Sequence, residues 1–299
     1  MLDFVQNLID GLMVGSSYAL LALGFTLIFG AMRRLNLSYG PSIMVGVFAG
    51  TLVHMQYSAG LIAVAAATMI GSAIATVYVE RLCFAAVRSG AAVASMVSSF
   101  AVWMQIEEAV TLAFPRRTYA FPALSDAPPI YVGELFFRIE YVVMAIVAAL
   151  VMLVLYAILN RTRFGLQLRA VSQNPVAARY SGINIPAVTL QAFLLAAVIG
   201  AIAGFLIAGT DQQITPRFGL WATIKGLIAM MLGGLGSIPG AILGGLLLGV
   251  VEAQSQWYLG TEYRDLMAYL VLFAFLVLRP GGLMGTVAVT QDREAARRL

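Results

Sequence analysis

Charge is scarce in this chain: charged residues make up 11% of its 299 positions, against 61% hydrophobic ones. With a mean hydropathy of +0.91, it lacks the polar surface needed to cover a soluble globule of this length. Lipid is therefore the expected solvent. There is one cysteine and one histidine, Cys83 and His54, which excludes an internal disulfide framework, a Cys-rich metal site and a Cys/His catalytic pair. Lys225 is the sole lysine among 18 basic residues, and the arginines lie scattered between apolar stretches. That pattern argues against a nucleic-acid partner. No GxxxxGK[ST] pattern occurs, so the chain is not expected to cradle a nucleotide itself.

What is present is a succession of apolar runs. A bilayer core about 30 Å thick takes about 20 residues of helix, and runs of that order lie at 8–30, 41–57, 61–80, 91–114, 141–160, 187–209, 222–234, 238–258 and 264–279. They are continuous and do not alternate, which excludes a barrel. The predicted fold class is all-α, a polytopic bundle of about eight to ten transmembrane helices, nine preferred. The first run follows Asp3, without a basic leader or a small-residue cleavage site, and reads as a retained helix. Two runs are short, and each follows a glycine-containing break (Tyr39-Gly40-Pro41 and Phe218-Gly219). Broken or re-entrant helices lining a cavity have that form.

Arginine bias sets the orientation. With nine spans and the N-terminus outside, the cytoplasmic segments hold Arg33, Arg34, Arg81, Arg88, the four arginines of 161–179, Arg279, Arg293, Arg297 and Arg298. The outer segments hold half as many basic residues, Arg116, Arg117, Arg138, Arg217, Lys225 and Arg264. The stretch 115–140 then becomes an external loop within a single transmembrane domain over 1–285, and 286–299 a short cytoplasmic tail. A shift of 179 residues lays 8–30 on 187–209, Gly30 on Gly209, Tyr39 on Phe218 and Gly40 on Gly219. In this topology the two copies run in opposite directions, the inverted-repeat plan of many transporters.

Two segments stand out locally. From Gly233 to Gly249 the chain reads GGLGSIPGAILGGLLLG, with Gly233, Gly234, Gly236, Gly240, Gly244 and Gly245 giving a helix face without side chains. Small residues at fourfold spacing let helix backbones approach closely in lipid; the alternative is a pore lined by exposed backbone. Between Asn160 and Pro186, Asn174 suits an N-cap, Pro175 the first helical position and Gly182 a left-handed stop. That spells a short bounded cytoplasmic helix whose surface of Val176, Ala177, Ala178, Arg179 and Tyr180 suits a groove on another protein or a lipid surface. Among acidic residues, Glu107, Glu108 and Glu252 lie within apolar runs, where ionised groups usually face a cavity or a partner. For Glu107 and Glu108 an interfacial and a solute-facing position are both open. No cluster of His, Asp and Glu converges in the sequence, which disfavours a membrane-embedded enzyme, and no central row of carboxylates marks a proton-coupled carrier.

Several motifs in order resemble the branched-chain amino acid ABC permease family, in particular the H-type subunit of the high-affinity importer. They are GLMVGSSYALLALGFTLIFG with its Asn-containing turn, AARYSGINI, ITPRFGLWATIKGLIAMMLGGLGSIPGAILGGLLLGVVEA, YLGTEYRDL and RPGGLMG, covering about Gly11 to Gly285. The resemblance implies a non-catalytic, multi-pass inner-membrane subunit that moves branched-chain amino acids by alternating access. It implies a second similar permease subunit, two ATPase subunits carrying ATP and Mg, and an external solute-binding protein, with no cofactor on this chain. It makes Asn174, Pro175, Val176, Ala177, Ala178, Arg179, Tyr180, Ser181, Gly182, Ile183 and Asn184, within about 161–186, the segment that couples to an ATPase. Tyr18, Asn36, Tyr39, Gly40, Glu107, Glu108 and the Gly233 to Gly245 region fall along the translocation route or at helix contacts. The family's Asn-Phe-Ala-His-Gly is here Asn36-Leu37-Ser38-Tyr39-Gly40, and amides are common in the family near Glu107 and Glu108. Those departures keep urea, short amides and small organic acids open as solutes, with a secondary carrier or channel as the competing class.

Overall fold

The computed structural model describes residues 2–86, 92–125 and 127–285. Arg88 and the segment 286–299, to which the topology assigned cytoplasmic places, lie outside the described residues. Among these, eleven α-helices and four short strands follow one another. The helices are α1 Leu2–Met32, α2 Tyr39–Tyr57, α3 Leu61–Val79 with a π-helical continuation Glu80–Ala85, α4 Ala92–Ala113, α5 Ile139–Arg161, α6 Arg163–Gln173, α7 Pro175–Tyr180, α8 Ile185–Asp211, α9 Phe218–Gly233, α10 Ile238–Tyr258 and α11 Arg264–Leu278. Setting aside α6 and α7 leaves nine, with ends close to the expected runs. Five of them (α1, α3 with its π-helical end, α5, α8 and α10) are long and apolar enough to cross a membrane. The other four are short or carry charge, as α4 does at Glu107 and Glu108.

α1 and α8 form the centre and bury most of their length. They are antiparallel. The shift that lays Gly40 on Gly219 brings those two glycines into contact, so that a Cβ on Gly40 would strike the Gly219 carbonyl oxygen. The same shift relates the seat of Phe25 on Gly226 to that of Val47 on Gly204. Equivalent residues of the two halves thus meet across a pseudo-twofold relation, and α2 and α9 both start beside it. Tyr39, at the start of α2, reaches into the space left by Gly24 and Gly200 and donates its hydroxyl to the Ala196 carbonyl at 3.0 Å.

The glycine-rich helix α10 is wedged between α1 and α9. Gly244 lies against the backbone of Ala229 and Gly233, and Gly240 against Gly233, both on α9. Gly245 and Gly249 lie against Ala19 and against Gly11 and Gly15 on α1. The fourfold spacing with an offset of one thus gives two adjacent faces, each receiving a neighbouring backbone. At this distance dispersion contacts replace the hydrophobic drive that lipid cannot supply. Gly234 and Gly236 serve differently, holding positive φ of 107° and 81° in the turn before α10.

The segment between α4 and α5 is not featureless. β1 (Tyr119–Ala120) pairs antiparallel with β4 (Gln213–Ile214), tying the loop to the link between α8 and α9. β2 (Ile130–Val132) and β3 (Leu135–Phe137) form a hairpin turning at Gly133. Gln6 of α1 clamps it, donating to the Phe136 carbonyl at 2.6 Å and accepting from the Phe136 amide at 3.1 Å.

On the same side, the ends of α1, α9, α10 and α11 are held by buried charge. Lys225 Nζ lies 2.5 Å from Glu252 Oε1 and 2.7 Å from Asp265 Oδ1, while Arg264 Nε lies 2.7 Å from Glu252 Oε2. The Tyr18 hydroxyl donates to Glu252 Oε2 at 2.9 Å and accepts from Arg264. Lys225 and Glu252 are each 2% exposed, and three helices, α9, α10 and α11, bring the charged groups together with Tyr18 of α1. A buried charge that loses its only partner costs about 3–5 kcal/mol; without Lys225, Glu252 keeps Arg264 and Tyr18 but loses its most deeply buried partner, so the loss falls toward the lower end of that range. Lys225→Met is therefore expected to lower the SDS unfolding midpoint of the purified chain strongly, whereas Arg163→Met, at an exposed position, should leave it nearly unchanged. A Lys225→Met protein as stable as the parent would remove the cluster from the account of the fold.

Candidate functional site

Two recesses open among the outer helix ends. The larger, of about 990 Å³, lies between α4 and the start of α9, and its lining includes Trp103, Glu107, Glu108, Arg116, Arg117 and Arg217. α4 packs thinly on the rest of the bundle. Polar contacts seat its inner half: Arg34 donates to Ser95 Oγ at 2.8 Å, and the Leu37 amide donates to Ser99 Oγ at 3.3 Å. Farther out, Glu107 accepts from Trp103 Nε1 at 2.6 Å, one helical turn away, while Glu108 is exposed. Two carboxylates and three guanidinium groups on one recess give it both charge signs. Carboxylates in a helix of this kind avoid lipid tails by facing water or a partner.

The smaller recess, of about 450 Å³, lies within the bundle, with Asp10, Tyr18, Asp211, Trp221, Glu252 and Arg264 among its lining. Of the charge cluster, Glu252 and Arg264 line it, and Lys225 and Asp265 join them from outside the lining. Sequence reasoning passed over Lys225, Arg264 and Asp265 as functional residues. A signal did exist, because a lone lysine in the apolar stretch of α9 requires an acidic partner at the same depth.

The residues expected along the route are distributed otherwise. Tyr18 lines the smaller recess, and Glu107 and Glu108 line the larger. Tyr39 and Asn36 are both 1% exposed, and Gly40, Gly233, Gly240, Gly244 and Gly245 are buried at helix contacts. Asn36 closes the break between α1 and α2, its Oδ1 accepting from the Ser38 amide at 3.0 Å. An exposed-backbone pore along α10 does not match this packing.

At the other end of the bundle, α7 has the bounded form that its sequence encodes. Asn174 Oδ1 accepts from the amides of Val176 and Ala177, both at 3.0 Å. Pro175 opens the helix, Gly182 leaves it at φ +79°, and Asn184 Oδ1 caps α8 at the Ala187 amide. One assignment needs correcting. Ala178 is 4% exposed and packs into its own chain, whereas Val176 and Tyr180 are 62% and 89% exposed. With Pro175 and Asn174 fixing the start of the helix, the outward face carries Val176, Ala177, Arg179, Tyr180, Ser181 and Gly182, and Ile183 is half-buried behind it. Preceding α7, the amphipathic helix α6 was not expected; Thr162 caps it, and Arg169 donates to the Leu159 carbonyl at 2.8 Å.

Comparison with known proteins agrees with this architecture. The family described as branched-chain amino acid transport system / permease component matches residues 7–276. The high-affinity branched-chain amino acid transport system permease protein LivH of Escherichia coli (strain K12) is 32% identical over 296 residues, covering 95% of this chain and 96% of that one. The corresponding protein BraD of Pseudomonas aeruginosa is 32% identical over 295 residues, with 94% and 96% covered. Among solved structures, an inward-facing conformation of a metal-chelate type ABC transporter superposes with a TM-score of 0.55 at 14% identity, covering 91% of this chain and 85% of that chain. That likeness bears on the fold alone. The apolar helices, the glycine-wedged centre and the end-to-end sequence match lead to one conclusion: the chain belongs to the branched-chain amino acid transport permease family.

Proposed function

We propose that the chain is the membrane-spanning subunit of an ABC importer that moves branched-chain amino acids inward by alternating access. It would work with a second, similar permease subunit, two ATPase subunits and an external solute-binding protein. The observation that carries this reading is the end-to-end match to permeases named for branched-chain amino acid transport. ATP and Mg then belong to the ATPases, and this chain contributes the route and the mechanical link. The mixed-charge recess of Glu107, Glu108 and Arg217 supports a zwitterionic solute, because each end of an amino acid finds a group of opposite sign. The open side of α4, where that recess lies, is the natural seat for the second permease. The exposed, capped helix α7 supports the link to an ATPase: a rigid short helix transmits displacement, and Val176 and Tyr180 offer apolar area for a groove.

The direct test is uptake into proteoliposomes holding the assembled complex, with the cognate binding protein outside and ATP inside. Labelled leucine, isoleucine or valine should accumulate only with ATP. Accumulation of acetamide or urea in place of all three would refute the solute class. Glu107→Gln and Glu108→Gln should each raise KM for leucine severalfold at an unchanged amount of protein in the membrane; unchanged KM in both would make them interface residues only.

The coupling role is tested by Tyr180→Asp, which places a carboxylate on the outward face of α7 without touching the bundle. Burying that charge unpaired in a partner's groove would cost a few kcal/mol, so stimulated ATP hydrolysis and uptake should fall at least tenfold together. Normal transport by the assembled variant would reduce α7 to a connector. Ala178→Asp is the poorer test, because it disturbs the chain's own packing.

A further inference from the structure

The smaller recess is built for more than holding helices together. Arg264, the cation on its lining, is already committed to Glu252 and Tyr18, and Lys225, off the lining, to Glu252 and Asp265. Two carboxylates of its lining, Asp10 and Asp211, stand outside that cluster. Asp10 Oδ2 accepts from Gln6 at 3.1 Å, but its Oδ1 is buried with no hydrogen-bond partner, and the same holds for Asn7 Nδ2 on the same lining. Arg138 acts on Asp10 through space, Arg264 and then Arg138 act on Asp211 in the same way, and Arg138 lies 3.8 Å from Glu140. Among the described residues neither Asp10, which is half-buried, nor Asp211, which is exposed, forms an ion pair. The remaining wall is aromatic and apolar, with Trp221, Trp257, Tyr141 and Met144.

A buried carboxylate oxygen without a partner is costly, and indole and phenol faces attract ammonium ions. A recess of about 450 Å³ falls within the range of small-ligand sites, about 300–1,000 Å³. We propose that this recess is a binding site for the ammonium group of a small organic amine, and that its occupant is the amino group of the solute. Asp10 and Asp211 receive the ammonium, the aromatic wall receives the apolar substituent, and the free Asn7 Nδ2 donates to the carboxylate. With Lys225 and Arg264 already paired, the site selects for the amine end and against a lone carboxylate. The named occupant rests on the transport reading above; the ammonium chemistry rests on the recess alone.

The molecule supplies its own reporter. Of three tryptophans, Trp221 and Trp257 line this recess and Trp103 lies on the other. The full-length W103F chain in phosphatidylglycerol nanodiscs therefore reports on this recess by fluorescence. Isoamylamine, isovalerate and leucine share the same branched alkyl group and differ only in charge. Leucine and isoamylamine should quench saturably, and isovalerate should not. Asp10→Asn and Asp211→Asn should each weaken isoamylamine binding at least tenfold, and Asp10→Glu should retain most of it. Equal quenching by isovalerate, unchanged affinity in both Asn variants, or equal competition by NaCl or KCl would overturn the site. Repeating the titration with phosphatidylethanolamine separates the sources: loss of the isoamylamine signal would assign the site to a lipid headgroup and overturn the solute as occupant. Leucine uptake by the complex is read separately. Uptake without amine quenching defeats this proposal alone, whereas quenching by amines without uptake of any amino acid leaves the ammonium site standing and removes its named occupant.

Discussion

The architecture depends on backbone meeting backbone without side chains between. In a bilayer the hydrophobic effect gives helices no reason to leave lipid for one another, so the attraction must come from fit. Here the fit is supplied by glycines presented on both sides of α10 and returned by Gly11 and Gly15 on α1 and Gly233 on α9. Each contact brings many atom pairs to van der Waals distance, and each forbids even a methyl group. Around this wedge α1 and α8 cross in opposite directions, and Gly40 and Gly219 let the two halves touch where their short helices begin.

That tight centre allows polar chemistry at the periphery. Because the helices cannot slide apart, Lys225, Glu252, Arg264 and Asp265 are held close enough to satisfy one another, which is the condition for charge to survive at membrane depth. The same cluster commits Arg264, the cation on the lining of the smaller recess, and leaves Asp10 and Asp211 outside its ion pairs. The larger recess follows the opposite rule: α4 packs thinly and Glu108 stays exposed. At the opposite end α6 and α7 lie outside the apolar bundle, and α7 runs into the start of α8 through Ile183 and the Asn184 cap.

Much of this was legible beforehand, because each membrane helix is written locally. Apolar length against bilayer thickness placed the nine helices, and Pro175, Pro239, Gly182 and Asn174 marked ends within a few residues of where they fall. The aromatic-glycine pairs at 39–40 and 218–219 announced the short helices and the pseudo-symmetry. What escaped was of two kinds. α6 is amphipathic and carries two arginines, so an argument from apolar runs passes over it. The strands β1 to β4 are two or three residues long and exist only because distant loops lie side by side.

The sequence alone determined the solvent, the places and ends of the apolar helices, the bounded form of α7 and the family, since these depend on composition, short-range spacing and ordered motifs. Only the tertiary structure decided which polar residues share an environment. Tyr18 and Arg264 are 246 positions apart and hydrogen-bonded, while Lys225 meets partners 27 and 40 positions away. It also turned Ala178 inward and Tyr180 outward on a helix of six residues. The reason is physical: a helix's ends follow from its own residues, but the direction its polar groups face is set by the neighbours it packs against.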